Sequence, residues 1–224
     1  METEADVAAV AALIGDPARS AMLAALQDGR ALPAGELARH AGGSAPTASA
    51  HLGRLLDGRL VEVQRSGRHR YFRLAGGDVA HALEALAVIA PPASVRSLRG
   101  AAVGEALAEA RTCYDHLAGR LGVALCAGLL RTNALVERDG AFAVGPRARA
   151  VLAPLGVDVA GLPPRRTAVL RCLDWSERRP HLAGALGAAI CARALAEGWV
   201  ERLPGSRAVR LTPAGSTALA RLVT

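Results

Sequence analysis

Apolar positions recur at helical spacing through the first quarter of the chain, and Gly, Pro and Asp punctuate them. Residues 6–14 form an apolar helical stretch closed by Gly15, Asp16 and Pro17. Pro17 can open the next helix, where Met22, Leu23 and Leu26 share a face before Asp28-Gly29. Pro33 opens a short helix through Glu36, Leu37 and Ala38, stopped by Gly42-Gly43. Ser44 is the expected N-cap of a helix over residues 45–57, with Pro46 in its first turn and Leu52, Leu55 and Leu56 facing inward. After Gly58 the apolar period shortens from about 3.6 to about 2. LVEVQRSGRHRYFRL alternates Val61, Val63 and, across Ser66-Gly67, Tyr71, which predicts a hairpin with Tyr71 on its apolar face.

Helix, tight turn, helix with small polar side chains, then a hairpin tipped by Arg65, Arg68, His69 and Arg70 is the plan of a winged helix-turn-helix. Such a helix fits the major groove of duplex DNA, while a basic loop reaches the neighbouring backbone. Charge agrees with that reading. The chain carries 27 basic and 20 acidic residues for a formal +7. Seven arginines (39, 54, 59, 65, 68, 70 and 73) against Asp57 and Glu62 put +5 of it into 35 residues.

SAPTASAHLGRLLDGRLVEVQRSGRHRYFRL resembles the recognition helix and wing of the ArsR-type repressors, the bacterial family named for arsenical resistance. The matching positions are Ser44, Thr47, Ser49, His51, Leu52, Leu55, Gly58, Leu60 and Val61, then Gly67, Arg68, Tyr71 and Leu74. The resemblance covers about residues 10–80. It implies a homodimer on imperfect palindromic operators in double-stranded DNA, released by an effector. It also implies that Ser44, Thr47, Ser49, His51 and Arg54 face DNA and that Arg68 and Arg70 are wing contacts. The outer helices, through Val7, Val10 and Leu13 and through Leu83, Leu86 and Val88, are the expected dimer surface. Two sensor sites known in the family are not reproduced. The helix before the recognition helix, AGELARHAGG, has no cysteine, and Asp78, His81 and Glu84 after the wing lack a later His-x-x-Glu.

The second half repeats itself. HLAGRLGVALC from His116 matches HLAGALGAAIC from His181 without a gap. Cys113-Tyr114-Asp115 answers Cys172-Leu173-Asp174, with six extra residues, WSERRP, before His181. Farther on, ALVERDG answers GWVERLPG, and the latter looks like a wing. The expected organisation is a winged helix-turn-helix domain over residues 1–90, a linker at Pro91, Pro92, Ala93 and Ser94 (or at 97–100), and an effector and dimer-support domain over 101–224. That second domain is read as two degenerate winged-helix-like repeats, about 101–160 and 161–224. The fold class is thus mainly α with small β hairpins. A 3% aromatic content agrees, since a core of Ala, Leu and Val suits closely packed helices.

Those repeats hold all four cysteines. Cys126 and Cys191 sit in apolar helical surroundings and read as inert core residues. Cys113, Asp115 and His116, and likewise Cys172, Asp174 and His181, combine thiol, carboxylate and imidazole, the ligands of Zn²⁺ and similar ions. On a helix Cys113 and His116 share a face while Asp115 points elsewhere. In the competing reading Asp115 and Asp174 cap or pair with Arg111, Arg171 or Arg178, and the cysteines fill gaps. A small organic effector anchored by the same groups is the other use of the cluster.

No nucleotide-binding glycine loop and no nucleophile elbow occurs, which argues against an enzyme. No apolar run of about 18 residues occurs, and the amino terminus is acidic ahead of its apolar stretch, the wrong order for a secretory signal. No membrane partner and a cytoplasmic location are therefore expected. The function expected is a sequence-specific transcriptional repressor released by a metal, a thiol-reactive compound or a small molecule. The alternative is a constitutive DNA-binding or interaction protein without a sensing site.

Overall fold

Side-chain caps start the helices wherever the sequence supplies Asp or Ser at the right place. In the computed structural model, which describes residues 4–91 and 97–223, the Asp6 carboxylate accepts from the Ala9 amide at 3.0 Å and opens α1 (Val7–Ile14). Asp16 does the same for α2 (Pro17–Leu26), accepting from the Arg19 amide at 2.9 Å. After the two-residue strand β1 (Leu32–Pro33) comes α3 (Ala34–His40), and Ser44 caps α4 (Ala45–Asp57). Strands β2 (Val61–Ser66) and β3 (His69–Leu74) form the hairpin, and α5 (Gly77–Ile89) follows. Two compact units result, Met1–Leu83 and Glu84–Thr224, so the division falls inside α5. The linker expected at Pro91, Pro92, Ala93 and Ser94 lies, beyond Pro91, outside the described residues.

In the first unit Met22, Leu23, Leu26, Leu37 and Leu55 are completely buried. The hairpin differs from expectation in the phase of its second strand. Val61 pairs with Leu74 and Val63 with Phe72, so Phe72 (3% exposed) and Leu74 (1%) enter the core and Tyr71 lies on the other face. The physical reason is the turn. Ser66 pairs with His69 and leaves only Gly67 and Arg68 in the loop, with Gly67 at φ +55, and this register sets which residues face inward. Strand β1 had no sequence signal; it pairs with β3 through Leu32 and Phe72, giving the order β1-β3-β2.

The second unit runs from Glu84 on α5 into α6 (Leu98–Glu109). Hairpin β4 (Arg111–Cys113) and β5 (His116–Ala118) leads into α7 (Gly119–Arg131), then β6 (Leu135–Arg138), β7 (Ala141–Val144) and α8 (Ala148–Leu152). Hairpin β8 (Leu170–Leu173) and β9 (Pro180–Ala183) leads into α9 (Gly184–Ala196), then β10 (Val200–Arg202), β11 (Val209–Leu211) and α10 (Pro213–Val223). Strand, strand, helix, strand, strand, helix thus occurs twice. Leu125, Leu129, Leu135, Leu152, Leu186 and Ile190 are among its buried core residues.

His116 and His181, placed on helices by the spacing argument, lie instead on strands. Each strand bends into its helix at a glycine with positive φ, +76 at Gly119 and +85 at Gly184. A Cβ there would come within 2.7 Å of the Ala108 carbonyl or 2.9 Å of the Thr167 carbonyl. The helices then pack crosswise, α7 on β9 and α9 on β5. Among the described residues no single helix is long and apolar enough to cross a membrane.

The hairpin register is testable. Phe72→Ala should cost about 3–5 kcal/mol in denaturant unfolding of the full chain. Tyr71→Ala should stay within about 1 kcal/mol, and equal losses at the two positions would refute the register.

Candidate functional site

The polar members of α4 are displayed rather than packed. Thr47, Ser49 and Arg54 are exposed, while Ala48, Leu52 and Leu55 point inward. Ser44 is also exposed, but its hydroxyl has a structural task, accepting from the Thr47 amide at 3.4 Å and lying 2.9 Å from the Thr47 hydroxyl. His51 is half-buried against α2: its Nδ1 lies 3.7 Å from Asp16 and 3.5 Å from the Arg19 guanidinium. In the wing Arg65, Arg68 and Arg70 are exposed, and Arg70 stacks over the Phe72 ring at 5.3 Å. Arg73 instead pairs with Glu62 across the hairpin.

In the second unit, two hairpins bring distant residues together. Cys113 pairs directly with His116 across β4 and β5, and Cys172 pairs directly with His181 across β8 and β9. The six extra residues before His181 enlarge only the loop of the second hairpin, so both Cys-His pairs survive. All four side chains are buried, and one ligand atom from each lies within 4.8 Å of the others. The two imidazoles stack with centroids 5.1 Å apart and Nε2 atoms 3.2 Å apart. Small neighbours allow this closeness: Ala118 and Ala183 complete the buried cluster with the two cysteines. A Cβ on Gly187 would come 3.2 Å from the His116 Cβ. These four residues form a group that could hold a metal ion.

The carboxylates stand behind the imidazoles. Asp115 Oδ1 is 3.4 Å from His116 Nδ1, and Asp174 Oδ2 is 3.7 Å from His181 Nδ1. Burial works against a charged His116, but the carboxylate of Asp115 and the thiol of Cys113 outweigh it and raise the imidazole to about 9. The Cys113 thiol is pushed well up, first by its hydrogen bond with Cys172 and then by burial. Cys126 and Cys191 are driven to about 12 by burial, as suits inert core thiols.

Asp174 is held by more than its histidine. It accepts from Arg111 at 3.0 Å, from the Gly119 amide at 2.7 Å, and through its other oxygen from the Ser176 amide and hydroxyl and the Glu177 amide. Burial alone would raise its pKa; the Arg111 charge and these donors bring it to about 2. Arg111 is fully buried, also donates to Glu84 at 2.7 Å, and lies 4.7 Å over the Trp175 ring. Glu84 lies 3.5 Å from Arg207 as well. The group that could hold a metal ion leaves both aspartates out, and the ion-pairing reading describes their contacts. Asp174 pairs with Arg111 and caps a turn yet still faces a histidine, while Asp115 pairs with Arg166 at 2.6 Å, a partner not foreseen. Glu84 as the second carboxylate on Arg111 was also missed, and no local spacing announces it.

A family description, "Helix-turn-helix domain", matches residues 14–64. The HTH-type transcriptional regulator YdfF of Bacillus subtilis (strain 168) is 44% identical over 214 residues, covering 95% of both chains. Among solved structures, the homodimeric winged helix-turn-helix DNA-binding domain (fragment 1–100) Mb0332 of Mycobacterium bovis, a possible ArsR-family regulator, is 31% identical. It covers 40% of this chain and 89% of its own, with a TM-score of 0.35. The cadmium metal-sensor CMTR of Mycobacterium tuberculosis is 32% identical over 41% of this chain and 94% of its own, at a TM-score of 0.34.

The buried ion network sets a stability test. Arg111→Ala strips the guanidinium from two buried carboxylates and should cost about 3–5 kcal/mol. Arg120→Ala, which removes a surface partner of Glu105 and Glu109, should leave the unfolding midpoint nearly unchanged. Denaturant unfolding of the two variants side by side checks the contrast.

Proposed function

We propose, from the premise that the chain belongs to the ArsR-type helix-turn-helix transcriptional regulators, that it is a homodimeric repressor of imperfect palindromic operators whose second unit answers an effector. As a member of that family it is a sequence-specific DNA-binding regulator rather than an enzyme. The observation that carries the rest is the exposed face of α4, with Thr47, Ser49 and Arg54, followed by the exposed arginine tip at Arg68 and Arg70. On this reading Thr47, Ser49 and Arg54 read base edges. Ser44 fixes the start of the helix and meets the phosphate backbone. His51, held by Asp16 and Arg19, contributes from the edge of the face, and Arg68 and Arg70 grip the backbone from the wing.

Exposed apolar side chains support pairing of two chains. Val7 is 71% exposed and Val10 40%; on α5, Leu86 is 43% and Ile89 79% exposed. Leu13, in contrast, packs on Gly58 within its own unit. One winged helix contacts too little DNA for tight specific binding, so a two-fold pair on a two-fold operator is the economical arrangement.

We read the two runs of strand, strand, helix, strand, strand, helix as degenerate winged-helix-like repeats over 101–160 and 161–224. Their wing-like hairpins do not offer a second DNA surface. Arg207 is turned toward Glu84 and the Thr112 carbonyl, and Arg210 pairs with Glu201 at 2.7 Å. The effector centre is then Cys113, Asp115, His116, Cys172, Asp174 and His181. Its route outward is chemical: Asp174 holds Arg111, Arg111 holds Glu84, and Glu84 lies on α5, the helix that follows the wing in the chain.

Selection of bound fragments from random duplex DNA should yield an enriched two-fold motif. Thr47→Ala or Arg54→Ala should cost about 1–3 kcal/mol at particular base pairs and relax discrimination there. Arg68→Ala and Arg70→Ala should weaken all sequences alike and flatten the dependence of affinity on salt. An unenriched selection would sink the proposal.

A further inference from the structure

We propose that Cys113, His116, Cys172 and His181 bind one divalent, four-coordinate ion of the zinc class, in a site of two sulfurs and two nitrogens. The inference rests on reading these residues as the effector centre, and it names what that centre takes.

Three observations carry it. The first is donor geometry. Two nitrogens bound at about 2.0–2.1 Å to a tetrahedral ion stand about 3.3 Å apart. The Nε2 atoms of His116 and His181 are 3.2 Å apart, and the wider set of four donors spans no more than 4.8 Å. Closing the site therefore needs the donors that stand farthest apart to draw in by about 1 Å.

The second is the orientation of the imidazoles. Each Nδ1 faces a carboxylate, Asp115 for His116 and Asp174 for His181. The two Nε2 atoms are thereby turned toward each other, 3.2 Å apart, on the side of the rings away from the carboxylates. A carboxylate behind the distal nitrogen is also the arrangement that orients and strengthens histidine ligands in metal sites.

The third is charge. The cluster is buried, and the loaded site balances. The divalent ion displaces the protons of the two thiols and the proton held between the two Nε2 atoms, all of which leave to solvent, and two thiolates with two neutral imidazoles and a 2+ ion sum to zero. A neutral complex is what a low-dielectric site tolerates. Mg²⁺ and Ca²⁺ seek oxygen and higher coordination and do not suit this donor set. An organic effector is also poorly served. The cavity lined by Leu117, Gly122, Leu125, Leu182, Gly187 and Ile190 among others has only apolar side chains and glycines on its wall, with no polar side chain to orient one.

The test uses the untagged, full-length, reduced protein freed of metal by chelation, with Co²⁺ and then Zn²⁺ as probes. Expected are one Co²⁺ per chain, intense visible bands of tetrahedral cobalt with thiolate-to-cobalt charge transfer, and displacement of the cobalt by stoichiometric Zn²⁺. The charge-transfer band should vanish in Cys113→Ser/Cys172→Ser and persist in Cys126→Ser/Cys191→Ser. Should the first pair fail to fold, X-ray absorption of the zinc-loaded wild-type chain decides, with two sulfur and two nitrogen neighbours expected. Weak octahedral cobalt bands, zinc bound by oxygen and nitrogen alone, or a Cys113–Cys172 disulfide under reducing conditions with no metal uptake would overturn the proposal. Operator binding by metal-free and zinc-loaded protein is measured separately. Equal affinities with an intact S₂N₂ site would uphold the metal and overturn the effector reading instead.

Discussion

Burying Arg111 obliges the second unit to bring carboxylates to it, because an unpaired guanidinium out of water costs several kcal/mol even after relaxation. Glu84 and Asp174 meet that demand from residues far apart in the chain. The consequences spread through Asp174. The same carboxylate ties the Gly119 amide at the start of α7, folds the enlarged loop after β8 through Ser176 and Glu177, and stands behind His181. One ion network thus fixes where a helix begins, how a loop turns and which way an imidazole faces. Arg111 itself lies two residues before Cys113 on β4, so the network and the cysteine cluster share a strand.

The first unit was legible because its signals are local. Ser44 with Pro46 announces α4, Asp16 with Pro17 announces α2, and the Arg-rich turn marks the hairpin tip. Where local signals were ambiguous the reading slipped. Tyr71 and Phe72 are adjacent aromatics, either of which satisfies an alternating pattern, and only the two-residue turn at Gly67-Arg68 decides for Phe72. Strand β1 contains Pro33 and only two residues, too little for any pattern to register.

In the second unit the internal repeat showed that the Cys-Asp-His groups correspond. It did not show their conformation. Ala-rich and Leu-rich sequence after His116 and His181 is helical, and extending that period backward across Gly119 and Gly184 put the histidines on the wrong kind of element. Positive φ at those glycines is the break. The partners of Arg111 lie 27 and 63 residues away in opposite directions, and composition gives no hint that an arginine in so arginine-rich a chain is the buried one.

The two hairpin-to-helix runs also send four cysteines to two fates. The helix cysteines, Cys126 and Cys191, enter the shared apolar core, where desolvation is the largest influence on them. The hairpin cysteines lie on strands that end just before the helices cross, so α7 on β9 and α9 on β5 press the two hairpins against each other. Two thiols and two imidazoles are thereby confined together, where every polar group must find a partner. Without an ion, the partners are each other: the Cys113 thiol binds Cys172, and the imidazoles face one another in front of their carboxylates. A bound ion would be held by all four at a common centre, and the thiol protons would leave. The two arrangements use the same side chains at separations differing by about 1 Å or less, and packed interiors respond to such shifts by moving between discrete packings rather than by stretching. The helices crossed over the hairpins lie against these four side chains, and Arg111 ties Asp174 on one side to Glu84 on the other.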